Sequence, residues 1–201
     1  MMELYRRKIS KMLSNNYLDI LNFVNEYGGI TIDIAANIFY QSKFGYDNAR
    51  RALRKLKDTN YLKVKRDFLT DKLVYYNKKA ISSHRVMLLK AYSKLMYYGA
   101  EILTFIPEYK TGYGNADGLI IYKINGIIKA MVIEVDINNK TNLIKYDKIY
   151  SSQHFQEKIG TFPKVLIIDK EIDKRKKKDS SKRNYIVNYI NYEMEDLYNF
   201  I

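Results

Sequence analysis

The apolar positions of the N-terminal third recur at helical spacing three times. Tyr17, Ile20, Leu21 and Val24 fall at i, i+3, i+4 and i+7, which predicts a helix with one buried face. Tyr27-Gly28-Gly29 stops it, because glycine adopts the left-handed conformation of a helix C-cap at little cost. Thr31 is placed to cap a second helix, with Asp33 in its first turn and Ile34, Ala35, Ile38 and Phe39 along one side. A third helix, over about residues 46–57, buries Ala49, Ala52, Leu53 and Leu56. The same periodicity turns Arg50, Arg51, Arg54, Lys55 and Lys57 outward. Two strand-like runs follow, residues 61–66 and 72–76, joined by a short polar segment through Thr70-Asp71.

Residues 84–98 again have a helical pattern, with Val86, Leu89, Leu95 and Met96 apolar, and residues 101–109 read as a strand. The stretch ADGLIIYKINGIIKAMVIEVD is the most informative in the chain. Asn125-Gly126 between two apolar runs predicts a hairpin closed by a type I′ turn. A two-residue loop fixes the register: Ile124 opposes Ile127, Asp117 opposes Glu134, and Asp136 lies on the same face as Glu134 by the period of two. Opposed like charges destabilise a sheet, so carboxylates this near an apolar hairpin call for a proton, a basic partner or a metal ion. Clustered carboxylate oxygens suit Mg²⁺ or Mn²⁺. The plainer reading is a pair of acids marking strand ends at the solvent boundary. Beyond it, a helix is expected over about residues 143–158 and a strand over 165–169. A flexible basic loop over 170–183, a strand over 185–190 and a short closing helix over 193–200 follow.

Composition narrows the function classes. The chain has no cysteine, which removes disulfides and thiolate metal sites and fits a reducing, cytoplasmic setting. No stretch approaches the roughly 20 apolar residues that cross a bilayer, so no membrane is expected as a partner. The formal net charge of +13 favours polyanionic partners. Residues 1–80 carry 16 Lys+Arg against 8 Asp+Glu, whereas residues 81–169 carry 11 against 8. An AT-rich coding background accounts for many of the lysines and for the 20 tyrosines, but not for that asymmetry. His84 and His154 fit no triad or zinc pattern, and Gly112-Tyr113-Gly114 lacks the Lys-Ser/Thr of a phosphate-binding loop.

Helix, helix, basic helix and basic hairpin, in that order, resemble a winged helix-turn-helix. Such a module contacts duplex DNA, here through Arg50, Arg51, Arg54, Lys55 and Lys57 on the third helix and Lys63, Lys65 and Arg66 on the hairpin. A small helical domain with a merely solvated basic face is the alternative. Asp117, a hairpin and then Glu134-Val135-Asp136 look like the core of PD-(D/E)xK nuclease-like domains, and the order of elements around them is similar. With the winged helix in front and the FPKVLIID run behind, residues 15–170 resemble the replication-relaxation family of plasmids and other mobile elements. The resemblance implies an α+β protein: a winged helix over residues 1–80, then a restriction-endonuclease-like α/β domain with a mixed sheet over 81–201.

It also implies catalytic positions at Asp117, Glu134 and Asp136, with Asp117 and Glu134 as metal ligands. Two departures stand out. Ala116 occupies a position where an active nuclease usually has proline. Asp136 stands where the catalytic lysine belongs, leaving Lys140, Lys145 or Lys148 to supply the charge, with Lys145 counted among the site residues. The expected function is therefore duplex-DNA binding in plasmid or mobile-element replication or mobilisation, beside a nuclease-like domain of weak or no activity. The alternatives are a metal-dependent nuclease or nicking enzyme and a winged-helix transcriptional regulator. A second copy of the chain, or replication or mobilisation proteins, are the protein partners this implies.

Overall fold

In the computed structural model, which describes residues 15–172 and 182–201, the N-terminal periodicity becomes three helices. Helix α1 (Asn15–Tyr27) buries Ile20, Phe23 and Val24. A two-residue strand β1 (Ile30–Thr31) leads into α2 (Ile32–Phe39), where the Thr31 hydroxyl accepts from the Ile34 amide at 3.5 Å. Helix α3 (Gly45–Asp58) buries Ala49, Ala52, Leu53 and Leu56, the four positions its spacing predicts. Its first residue has to be glycine, because a Cβ there would lie 1.9 Å from the Tyr40 carbonyl oxygen. Strands β2 (Lys63–Arg66) and β3 (Leu73–Tyr76) form an antiparallel hairpin, and β1 pairs with β3 to give the order β1-β3-β2.

The chain divides into two compact units, Met1–Ser93 and Lys94–Ile201. The division falls within helix α4 (Ser83–Tyr97), thirteen residues beyond the boundary expected at 80/81. The reason is packing. Ser83 donates to the Asp67 carboxylate at 2.5 Å, the Tyr92 ring lies 5.9 Å from Phe23 and 5.7 Å from Tyr27, and Asn37 donates to Ser93 at 3.2 Å. A fragment ending at Ser93 is therefore expected to melt cooperatively. One ending at Lys79 is deprived of this packing and should melt at a visibly lower temperature by circular dichroism. Equal melting of the two fragments would show that the helix adds nothing.

The second unit is built on a mixed five-stranded sheet in the order β4-β5-β6-β7-β8. Its strands are β4 (Glu101–Thr111), β5 (Gly114–Ile124), β6 (Ile127–Asp136), β7 (Lys164–Asp169) and β8 (Val187–Ile190). The pairs β4–β5 and β5–β6 are antiparallel, while β6–β7 and β7–β8 are parallel. Asn125 and Gly126 have φ of 50° and 79°, the two positive values a type I′ turn demands. The register runs from Ile124↔Ile127 to Gly118↔Ile133, as the two-residue loop predicts.

The single helix expected over 143–158 is instead two, α5 (Ile144–Ser151) and α6 (His154–Ile159). Gln153, in the left-handed region at φ 56°, breaks the helical path between them. Both cover one sheet face: Val132, Val165 and Ile167 share a buried cluster with Tyr146, Ile149 and Phe155. The closing helix is a 3-10 segment (Glu195–Phe200). Of the basic loop read at 170–183, residues 173–181 lie outside the described residues. Together the units make an α+β protein, and among the described residues no helix is long and apolar enough to cross a membrane.

Candidate functional site

Two groups of residues named from the sequence can be placed in the structure, one in each unit. In the first, Arg50, Arg51, Arg54, Lys55 and Lys57 are all exposed on α3. The helix holds two acids, Asp47 and Asp58, against those five cations. Arg50 pairs with Asp47 at 3.1 Å and Arg54 with Asp58 at 3.7 Å, each partner at least half exposed. Ion pairs so exposed are worth little, so these guanidinium groups can exchange a carboxylate for a phosphate at small cost. Lys63, Lys65 and Arg66 on β2 are exposed as well, and the first two share a strand face by the period of two. The hairpin is anchored to α2 by Lys72, whose ammonium lies 2.8 Å from the Asp33 carboxylate. Burial pushes the Asp33 pKa up, but hydrogen bonds from Lys72 and Thr31 outweigh it and hold the group below its ordinary value.

In the second unit the geometry brings Asp117, Glu134 and Lys145 together. Asp117 stands one residue past the last β5–β6 pair, and its carboxylate accepts the Val135 amide at 2.7 Å. The side chain thus continues a ladder that the backbone has stopped. Glu134, 5% exposed, takes the Lys145 ammonium at 2.6 Å and a hydrogen bond from the Tyr146 hydroxyl. Lys145 also donates to the Asn115 carbonyl at 2.8 Å, so one α5 side chain ties the helix to β5 and β6. Burial pushes the Glu134 carboxyl above its ordinary pKa, and Asp117 adds to this, while Lys145 and Tyr146 offset only part of the rise. The Tyr146 hydroxyl is driven well above its usual range by burial and by Glu134.

Asp136 keeps different company. Its Oδ1 accepts from the Thr141 amide at 2.9 Å and from the Thr141 hydroxyl at 2.5 Å, and it pairs in register with Asp169 on β7. Asp169 is fully buried and held by Lys140 at 2.6 Å to each oxygen, which directs Lys140 away from Glu134. Lys148 is exposed on α5. Tyr146, Thr141 and Asp169 are absent from the sequence-derived site. Asp169 alone carries a signal, as the acid that ends an apolar run like that of Glu134-Val135-Asp136.

This donor set does not fit Mg²⁺ or Mn²⁺ as arranged. Glu134 Oε1 faces an ammonium, Asp117 Oδ2 faces a backbone N–H, and hard cations need several oxygens converging on one point. Among the described residues no group of three or more His, Asp or Glu side chains is disposed to hold a metal. The arrangement is a cluster in which Lys145 and Tyr146 hold Glu134, with Asp117 beside it. No family model, curated protein or solved structure gives a significant match to the chain.

Proposed function

We propose that this chain is a duplex-DNA-binding protein whose first unit is a winged helix, with α3 in the major groove and the β2–β3 hairpin along the backbone or minor groove. One observation carries the reading: α3 buries four apolar residues and exposes five cations on its other faces, and the next element is a hairpin with three more. Arginine can read guanine bidentately, and lysine meets phosphate as a point charge. The second unit is read as a nuclease-like fold in which Lys145 takes the part that Asp136 vacates. There it neutralises Glu134, rather than leaving the carboxylate for a metal. The resemblance in motif order supports a setting in plasmid or mobile-element replication or mobilisation.

The test is to incubate the full chain with duplex DNA and Mg²⁺ or Mn²⁺, measuring binding and strand integrity together. Binding with both strands intact is the expected result. Rapid metal-dependent cutting that disappears in Glu134→Ala would assign the chain to the nucleases instead.

A further inference from the structure

The tip of the β2–β3 hairpin carries a ring that does no packing work. Phe68 is 82% exposed, the highest value among the large apolar side chains of the described residues. It opens a tip of four residues, 68–71, bounded by the hydrogen bond from the Asp67 amide to the Lys72 carbonyl at 2.8 Å. Phe68 thus presents an apolar face to solvent at the end of the hairpin.

The tip is also built to hold still. The buried Asp67 carboxylate accepts from the Thr70 amide at 2.9 Å, the Thr70 hydroxyl at 2.8 Å and the Ser83 hydroxyl at 2.5 Å. Burial raises its pKa, but those three donors outweigh burial and keep it below its ordinary value. Arg66 donates to the Asp71 carbonyl at 2.8 Å and pairs with the Asp71 carboxylate at 3.0 Å, bracing the opposite side of the loop. Lys65, Arg66 and Phe68 line a cavity of about 190 Å³ together with Ser82 and Ser83.

A hydrogen-bonded tip that carries an apolar ring next to basic residues in sequence complements a stacked, apolar surface edged by phosphates. We propose that Phe68 is a wedge that enters the minor groove of duplex DNA and partly unstacks one base step, while Lys65 meets a flanking phosphate and Arg66 keeps the loop braced through Asp71. Apolar wedges of this kind kink the duplex, and the kink lets more of the protein's basic surface reach the backbone. Because Asp67, Thr70 and Ser83 already order the loop, little conformational entropy is lost on insertion. The inference rests on the DNA-binding reading above and adds to it a residue that carries no charge.

The experiment uses the full chain and a duplex of about 30 base pairs labelled at both ends for energy transfer. The wild-type chain is expected to bind it and shorten the end-to-end distance. Phe68→Ala should bind about tenfold more weakly, lose most of the bend and keep the wild-type slope of log Kd against log salt, because every phosphate keeps its cation. Phe68→Leu, still an apolar wedge, should keep most of the bend. Wild-type affinity and bend in Phe68→Ala, with unchanged melting, would overturn the wedge and leave the ring to a protein partner. Failure of the wild-type chain to bind any duplex would overturn the DNA-binding reading and the wedge together.

Discussion

Replacing Arg50, Arg51, Arg54 and Lys55 together by Ala is expected to weaken duplex binding about a thousandfold near physiological salt. Each cation removed from a phosphate or a base edge costs on the order of 1 kcal/mol or more, and four such losses sum to about 4 kcal/mol. The slope of log affinity against log salt should become shallower by about 0.9 for every phosphate that is no longer neutralised. Folding should survive, since all four side chains are exposed: Arg50 and Arg54 pair with surface carboxylates, Arg51 donates a hydrogen bond to Asn48, and Lys55 lies over the Tyr17 ring. Alanine is moreover the best helix former. Circular dichroism then separates the two outcomes. Unchanged affinity in a folded quadruple variant would mean that α3 presents a solvated face and nothing more.

Substituting Lys145 by Met is expected to destabilise the second unit by about 3 kcal/mol, because it strands a carboxylate in a nearly dry site. Glu134 would keep the Tyr146 hydroxyl and lose the ammonium at 2.6 Å that offsets its burial. Adding Glu134→Gln should recover most of the loss, since the amide carries no charge to be left unpaired and can still accept from Tyr146.

The penalty also has a definite pH dependence. The Glu134 pKa is raised in the folded state, so the folded chain binds that proton more readily than the unfolded chain. The group's contribution to stability is then fully present below the unfolded value, near 4.3, and is lost as pH rises through the folded value. Removing Lys145 raises the folded value further. The gap in melting temperature between Lys145→Met and the wild-type chain should therefore narrow on acidification and widen toward neutral pH. A gap that ignores pH, or a double variant no more stable than the single one, would show that Lys145 contributes packing and not charge.

Much of this architecture is legible in the sequence because it rests on short-range periodicity. The apolar spacing of Ala49, Ala52, Leu53 and Leu56 locates α3 and its exposed cations to within a residue or two. The Asn125-Gly126 pair sets the β5–β6 register because both residues tolerate positive φ. What escapes depends on contacts between distant positions or on backbone choices that residue type does not dictate. Nothing about Gln153 marks a left-handed residue, so α5 and α6 read as one helix. Tyr146 reads only as an apolar helical position, although its hydroxyl meets Glu134 across the cluster. Lys140, Lys145 and Lys148 all lie within reach in the sequence, with Lys145 the one counted among the site residues, and the geometry sends Lys145 to Glu134 and Lys140 to Asp169. The polar stretch near residues 77–83 looks like a linker, but the following helix packs Tyr92 against Phe23 and Tyr27 and carries the first unit onward to Ser93.

Affinity of the wild-type chain for duplex DNA, measured across a series of salt concentrations, tests DNA binding through α3 and the hairpin. Eight cations are exposed on α3 and β2, with Arg50, Arg54, Lys57 and Arg66 in surface ion pairs. If all eight are engaged, the plot of log affinity against log salt should fall with a slope of about −7, and partial engagement gives a proportionately smaller but still steep value. Saturable binding with such a slope is the expected result. Absence of binding at low salt, or an affinity that does not respond to salt, would show that these cations do not engage DNA.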